Sequence, residues 1–284
     1  MNGIMVTDKV REDVYSILTE VLGEDATGIY IPVVDSHREA YSTITETGYG
    51  REIEETDDVT IQYGASRFVI IPCDLPYVIK LSITALYDTQ ITMRREPLDD
   101  EEKAVTDHFW LTEYNSLVET GAINDEGWEE ISRRFLCYKQ HTDYDLMEYE
   151  NELCYEAETD YPECADMLLE NTWVGEYNGI PVWIQRKVEG TQSEIGNYSQ
   201  FLSASQEEKE VVYKSYDILW SGDLDNDFIL AILRKYGPDV TEEAMRMMNA
   251  LGLSDLHSSN VGYLRDGSPV LLDYGGYSDH ELWI

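Results

Sequence analysis

The chain has 284 residues and a formal net charge of −37, from 20 basic and 57 acidic residues. Its hydrophobic content of 43%, with 21 Tyr and 6 Trp, suffices for a packed core in one large or two small domains and argues against a disordered chain. No apolar run approaches the ~18 residues of a membrane span, the first residues lack the flank and apolar stretch of a signal peptide, and so acidic a surface repels nucleic acid and anionic membrane. The expectation is a cytoplasmic protein that contacts neither. Cys73, Cys137, Cys154 and Cys164 form no Cys-x-x-Cys pair, so reduced, core or half-buried thiols are expected. The acidity itself has three readings: adaptation to high salt, imitation of nucleic acid toward a basic protein, or plain solubility. The acidic residues are spread along the chain, which favours a general surface property.

Residues 8–22 place Val10, Val14, Ile17, Leu18 and Val21 on one helical face, with Gly23 as the stop. A mixed segment runs to about Asp58. Val59–Tyr63, Phe68–Ile71 and Tyr77–Ile83 then read as a three-stranded antiparallel meander, its first turn being Gly64-Ala-Ser-Arg67. Leu98-Asp-Asp-Glu-Glu starts an amphipathic helix that reaches Glu119, before Gly121. On it Val105, Phe109, Glu113 and Leu117 fall four apart on one face, and a carboxylate in such an apolar stripe is costly unless paired. Residues 125–171 look helical and irregular, with Pro162 suited to a helix start.

Trp173–Tyr177 and Ile180–Val188 flank Asn178-Gly179, the strongest short hairpin signal, a type I′ turn. Ser205 and Glu208 form a capping box for a helix bearing Val211, Val212, Tyr216 and Trp220. Asn226–Tyr236 reads as a helix closed by Gly237-Pro238. Thr241 reads as the cap of the next helix, which carries Ala244, Met247, Met248 and Leu251. Strands dominate the first part and helices the second, an α+β layout with a boundary near Gly190.

The chemistry sits at the far end. Asp255-Leu-His-Ser-Ser-Asn260 is followed thirteen residues later by Asp273-Tyr-Gly275. Val261–Leu264 and Pro269–Leu272 flank the turn Arg265-Asp-Gly267, so a hairpin is expected to return Asp273 beside Asn260. Two oxygen ligands would then face one cation, and magnesium takes protein ligands sparsely, keeping water and phosphate in its other positions.

These segments resemble the D-L-H-x-x-N and D-[FYW]-[GE] motifs of the protein-kinase-like superfamily, closest in style to its aminoglycoside phosphotransferase and choline kinase branches. The resemblance implies a two-lobed fold with an antiparallel sheet plus helix in the first lobe and a reduced, mostly helical second lobe. It implies ATP and magnesium as cofactors and a phosphoryl acceptor, a small molecule or a protein, that the sequence does not name. Residues 1–58 would form an N-terminal extension, 59–189 the first lobe with a helical insertion at 125–171, and 190–284 the second lobe. Asp255 would orient or deprotonate the acceptor hydroxyl, and Asn260 and Asp273 would bind magnesium. Lys80, in Tyr77-Val-Ile-Lys80-Leu81, would contact the nucleotide phosphates and Glu113 would pair with it. A hinge at Lys187, Val188, Glu189 and Gly190 would hold the adenine, and His257 would support the catalytic loop.

The chain departs from the family pattern in three places. It has no G-x-G-x-x-G loop; the short turn Gly64-Ala-Ser-Arg67 stands there, with Ser66 as the expected phosphate contact. Leu253 occupies the place of a common His two residues before Asp255. No A-P-E segment follows Asp273, and the sequence ends at Ile284, so a conventional peptide substrate is not expected. The competing reading is a catalytically weak or inactive, pseudokinase-like acidic module, of viral or mobile-element type, that binds and inhibits a basic, nucleic-acid-binding protein.

Overall fold

A computed structural model describes residues 3–34, 37–38, 41–45, 48–63, 67–82, 85–88, 146–191, 199–219, 224–253 and 256–275. The protein is mixed α+β, and its chain divides into two compact units. One consists of Val6–Asp145 and Trp173–Ile184, the other of Met1–Met5, Leu146–Thr172 and Gln185–Ile284. Each unit takes its residues from separate stretches of chain, and Leu146–Thr172, which overlaps the stretch 125–171 read from sequence as a helical insertion in the first lobe, groups with Gln185–Ile284.

The first unit opens with α1 (Asp8–Leu22), where expected. The Thr7 hydroxyl accepts the Val10 N–H as its N-cap, and Val14, Leu18, Val21 and Leu22 are buried. The stretch read as mixed is a sheet: β1 (Gly28–Val34), β2 (His37–Arg38), β3 (Tyr41–Thr45) and β4 (Gly48–Ile53) pair antiparallel in the order β2-β1-β3-β4. The meander follows as β5 (Val59–Tyr63), β6 (Arg67–Pro72) and β7 (Tyr77–Ser82), with Tyr63 opposite Phe68 and Val69 opposite Lys80. Strand β8 (Ala85–Asp88) returns to pair in parallel with β1.

The hairpin β9 (Thr172–Tyr177) and β10 (Ile180–Arg186) completes a five-stranded antiparallel sheet in the order β5-β6-β7-β10-β9. Asn178 and Gly179 both have positive φ, 51° and 83°, as a type I′ turn requires. Phe68, Ile70, Ile79, Leu81, Val182 and Ile184 are fully buried in this sheet. At the exposed edge, α1 caps carbonyls of β9: Arg11 Nε donates to Val174 O at 3.3 Å and Tyr15 Oη to Glu176 O at 3.3 Å.

In the second unit, α2 (Leu146–Asp160) buries Met147, Glu150, Leu153, Cys154 and Ala157 and exposes Glu148, Glu152, Tyr155, Glu156 and Thr159 on the opposite face. Pro162 does not start a helix; it lies in the turn that follows α2 and leads to a 3-10 turn at Ala165–Met167. Next come α3 (Ser199–Leu202), α4 (Gln206–Ser215), α5 (Asn226–Tyr236) and α6 (Pro238–Ala250). The capping box is present: Glu208 N–H donates to Ser205 Oγ at 3.2 Å, and Ser205 N–H to Glu208 Oε2 at 2.7 Å. Thr241 is not a cap. Helix α6 begins at Pro238, whose missing N–H costs nothing at a first helical position, and Thr241 is buried one turn in, donating to Gly237 O.

These helices close on a small sheet of β11 (Gly190–Thr191), β12 (Val261–Tyr263) and β13 (Pro269–Leu271). The core between them contains Leu168, Phe228, Leu230, Met247, Leu256 and Tyr274. Of the cysteines, Cys154 and Cys164 are buried, but Cys73 is exposed, against expectation, because it stands in the turn between β6 and β7. No helix among the described residues is long and apolar enough to cross a membrane.

Candidate functional site

The Asn260–Asp273 segment is built from the end of α6 outward. Leu253, 5% exposed, donates its N–H to Met248 O and ends the helix; Leu256 is fully buried and fixes the loop to the core. His257 and Asn260 then form a tight turn, with Asn260 N–H donating to His257 O at 2.9 Å. The His257 ring lies against that turn, its Nδ1 3.2 Å from the Ser259 amide and its Nε2 3.2 Å from Asn260 Nδ2. It therefore touches the side chain assigned to magnesium, in keeping with a supporting position in the loop. Asp255 lies outside the described residues.

The expected hairpin forms. Val261 pairs with Leu271, Gly262 with Val270 and Tyr263 with Pro269. Beyond the last pair, Leu272 N–H donates to Asn260 O at 2.8 Å. Asn260 and Leu272 thus face each other across the open end of the ladder, and half-buried Asp273 is the next residue. A carboxylate and a carboxamide at one hairpin end supply the hard oxygen donors that magnesium prefers. Among the described residues, no group of three or more His, Cys, Asp or Glu side chains is placed to hold a metal.

Tyr274 and Gly275, directly after Asp273, are gripped by a side chain of α2. Their N–H groups both donate to Glu150 Oε1, at 2.9 and 3.1 Å. A Cβ on Gly275 would stand 3.0 Å from Glu150 Cγ, so glycine permits the approach. Glu150 Oε2 accepts from Asn171 Nδ2 at 2.7 Å. Asn171 Oδ1 accepts from Gln185 Nε2 at 3.2 Å, and the same Gln185 nitrogen reaches Leu169 O at 2.9 Å and Leu272 O at 3.1 Å. Glu150 is fully buried, and Asn171 and Gln185 are each 1% exposed. The Tyr274 side chain anchors the turn, its hydroxyl 3.3 Å from Glu150 O and 3.2 Å from Leu169 O.

None of these three polar residues belongs to the site expected from sequence, although the sequence carries a signal for Glu150. Met147, Glu150, Leu153, Cys154 and Ala157 form an apolar helical stripe with one carboxylate in it, the same pattern that singles out Glu113. Glu113 and Ser66 lie outside the described residues. Lys80 is 4% exposed on β7, which has β6 on one side and β10 on the other, so it is not the outward residue of an edge strand.

The segment expected to form a hinge follows the fifth strand of its sheet, although β10 ends at Arg186 and not at Val188. Lys187 and Val188 are half-buried and Glu189 is exposed. The Glu189 N–H donates to Tyr263 O at 2.9 Å, and Gly190 continues that pairing as β11. The Glu189 amide is therefore committed to the hairpin. Compared with protein-family models, curated proteins and solved structures, the chain matches none of them.

Proposed function

We propose that this protein is an ATP- and magnesium-dependent phosphotransferase of protein-kinase-like, two-lobed fold. The observation that carries the reading is the hairpin β12–β13, which pairs the backbone of Asn260 with that of Leu272, the residue before Asp273. The five-stranded sheet supports it, with Lys80 buried on an inner strand and the fifth strand leading into Lys187–Gly190.

In this reading Asn260 and Asp273 hold magnesium, which when bound neutralises charge on the phosphates. Lys80 contacts the phosphates, with Glu113 as its assigned partner, and Ser66 adds a phosphate contact. Lys187 and Val188 hold the adenine. Asp255 accepts the proton of the acceptor hydroxyl while that oxygen bonds to the terminal phosphorus, the bridging P–O bond breaks and ADP leaves. Such transfer needs positioning and charge stabilisation more than covalent participation by the protein.

The test is ligand-dependent thermal stability. ATP with magnesium at about 100 times its Kd stabilises a folded protein by about 2.7 kcal/mol, so wild type should show a clear rise in Tm that Asp273→Ala removes. A wild type whose Tm ignores ATP and magnesium sinks the reading.

A second reading, an acidic module for a basic partner protein, draws on Leu146–Thr172, which contains no Lys or Arg and exposes Glu148, Glu152 and Glu156 along α2. Capture of a basic partner that survives Lys80→Ala and Asp273→Ala but collapses in moderate salt would favour it.

A further inference from the structure

The chain on both sides of Asp273 is held by one buried relay. Before it, Leu272 O accepts from Gln185 Nε2; after it, the amides of Tyr274 and Gly275 end on Glu150 Oε1. Asn171 joins the two clamps.

The direction of every side-chain amide in this relay is set by backbone. Gln185 faces the carbonyls of Leu169 and Leu272, so its nitrogen, not its oxygen, must point there. That nitrogen shares its two hydrogens among three oxygens and cannot accept, so Asn171 must present Oδ1 to it. Asn171 Nδ2 is then left to face Glu150, which must accept. The other end of Glu150 meets two backbone N–H groups and must accept as well. A side chain with an acceptor at each end is needed at position 150, and of Glu and Gln only Glu supplies it. Nor can the chain of bonds reverse, since neither the Leu169 and Leu272 carbonyls nor the Tyr274 and Gly275 amides can exchange roles.

We propose that Glu150, Asn171 and Gln185 are positioning residues that fix Asp273 for magnesium. The proposal rests on the phosphotransferase reading for the identity of the ion. None of the three needs to touch the metal. By holding the peptide units before and after Asp273, they restrict where its carboxylate can go, as residues behind a ligand do in metal sites generally.

The fixed polarity gives a specific test. Glu150→Gln turns an NH2 group toward Asn171 Nδ2. Asn171→Asp puts a carboxylate oxygen where the nitrogen lies 2.7 Å from Glu150 Oε2. Combined in one protein, the two changes restore the donor and acceptor order of the bonds named above. The carboxylate then at position 171 accepts from Gln185 and from the carboxamide nitrogen at position 150, and the carboxamide oxygen at position 150 accepts the Tyr274 and Gly275 amides. Magnesium is titrated at saturating ATP, with binding followed calorimetrically, and the unfolding of each ligand-free protein is measured separately. Each single variant should weaken magnesium binding by about tenfold or more, and the double variant should return the midpoint toward wild type. Gln185→Met, which removes the donor to Leu272 O and leaves Glu150 in place, should also weaken it and is read alone where a single variant does not fold. Unchanged midpoints in the folded variants, or a double variant no better than its worse parent, overturn the proposal while wild-type binding stands. A wild type without magnesium-dependent ATP binding removes both this proposal and the function beneath it.

Discussion

The thiol of Cys154 and the phenol of Tyr274 share a hydrogen bond of 2.7 Å inside the second unit, with Cys154 8% exposed and Tyr274 fully buried. Burial pushes the Cys154 thiol up to about 12, more than the Tyr274 contact brings it down, and burial likewise raises Cys164 to about 12. The thiolate is the reactive form. At pH 8, alkylation followed by peptide mass spectrometry should therefore mark exposed Cys73 quickly and spare Cys154 and Cys164 until denaturant is added. Equal rates at Cys73 and Cys154 would contradict the burial described.

Glu208 should make stability fall in acid. Its hydrogen bond to Arg234, then that to the Ser205 backbone, holds its carboxyl down to about 2. A depressed carboxylate stabilises the fold above its ordinary value and loses that contribution as pH falls through the folded value. Thermal unfolding from pH 5 to pH 2 should show wild type losing an advantage that Glu208→Gln never has. Ser205→Ala, which removes the reciprocal cap, should cost about 1 kcal/mol at neutral pH.

Asp227 should act in the opposite sense. It lies 5% exposed at the start of α5; Oδ1 accepts the Phe201 N–H at 2.6 Å, and Oδ2 is buried with no hydrogen-bond partner among the described residues. Burial raises its carboxyl, the Phe201 amide partly opposes this, and Asp225 adds to it. A raised carboxyl favours the fold at low pH and costs stability as pH rises through its folded value. Asp227→Asn keeps an acceptor for Phe201, so it should be more stable than wild type at pH 7 in urea titrations. The difference should vanish near pH 3; a variant equally or less stable at both pH values would refute the assignment.

Gly262 should not accept a side chain. A Cβ there would stand 3.0 Å from Gly190 O and 3.2 Å from Val188 Cγ2. Gly262→Ala should cost about 1–3 kcal/mol through overpacking, read from chemical unfolding. It should also weaken nucleotide binding, because Val188 belongs to the segment assigned to the adenine.

Local signals are the legible ones. The α1 stripe, the Asn178-Gly179 turn, the Ser205–Glu208 box and the hairpin returning Asp273 to Asn260 are each written within a few residues. The sheet at Gly28–Ile53 is not, since Pro32 interrupts its first strand and one partner of that strand, β8, lies far along the chain. Thr241 misleads because a single residue, Gly237, with φ of 88°, ends one helix and precedes the next. Asn171 and Gln185 carry no pattern of their own; their roles exist only once β10, α2 and Asp273 are brought together. The unit division escapes a linear boundary because Leu146–Thr172 leaves the sheet's unit and Trp173–Ile184 returns to it.

The parallel pairing of β8 with β1 bears on how the first unit is made. Strand β1 cannot complete its pairing until the whole β5–β7 meander has been synthesised, and β7 must wait for β10 across the stretch 83–179. Two long loop closures thus overlap along the chain of one unit, each demanding chain entropy before its contacts form. Such a topology folds late and slowly, and nascent chains ending before Ile180 would expose an unpaired β7 edge to other chains.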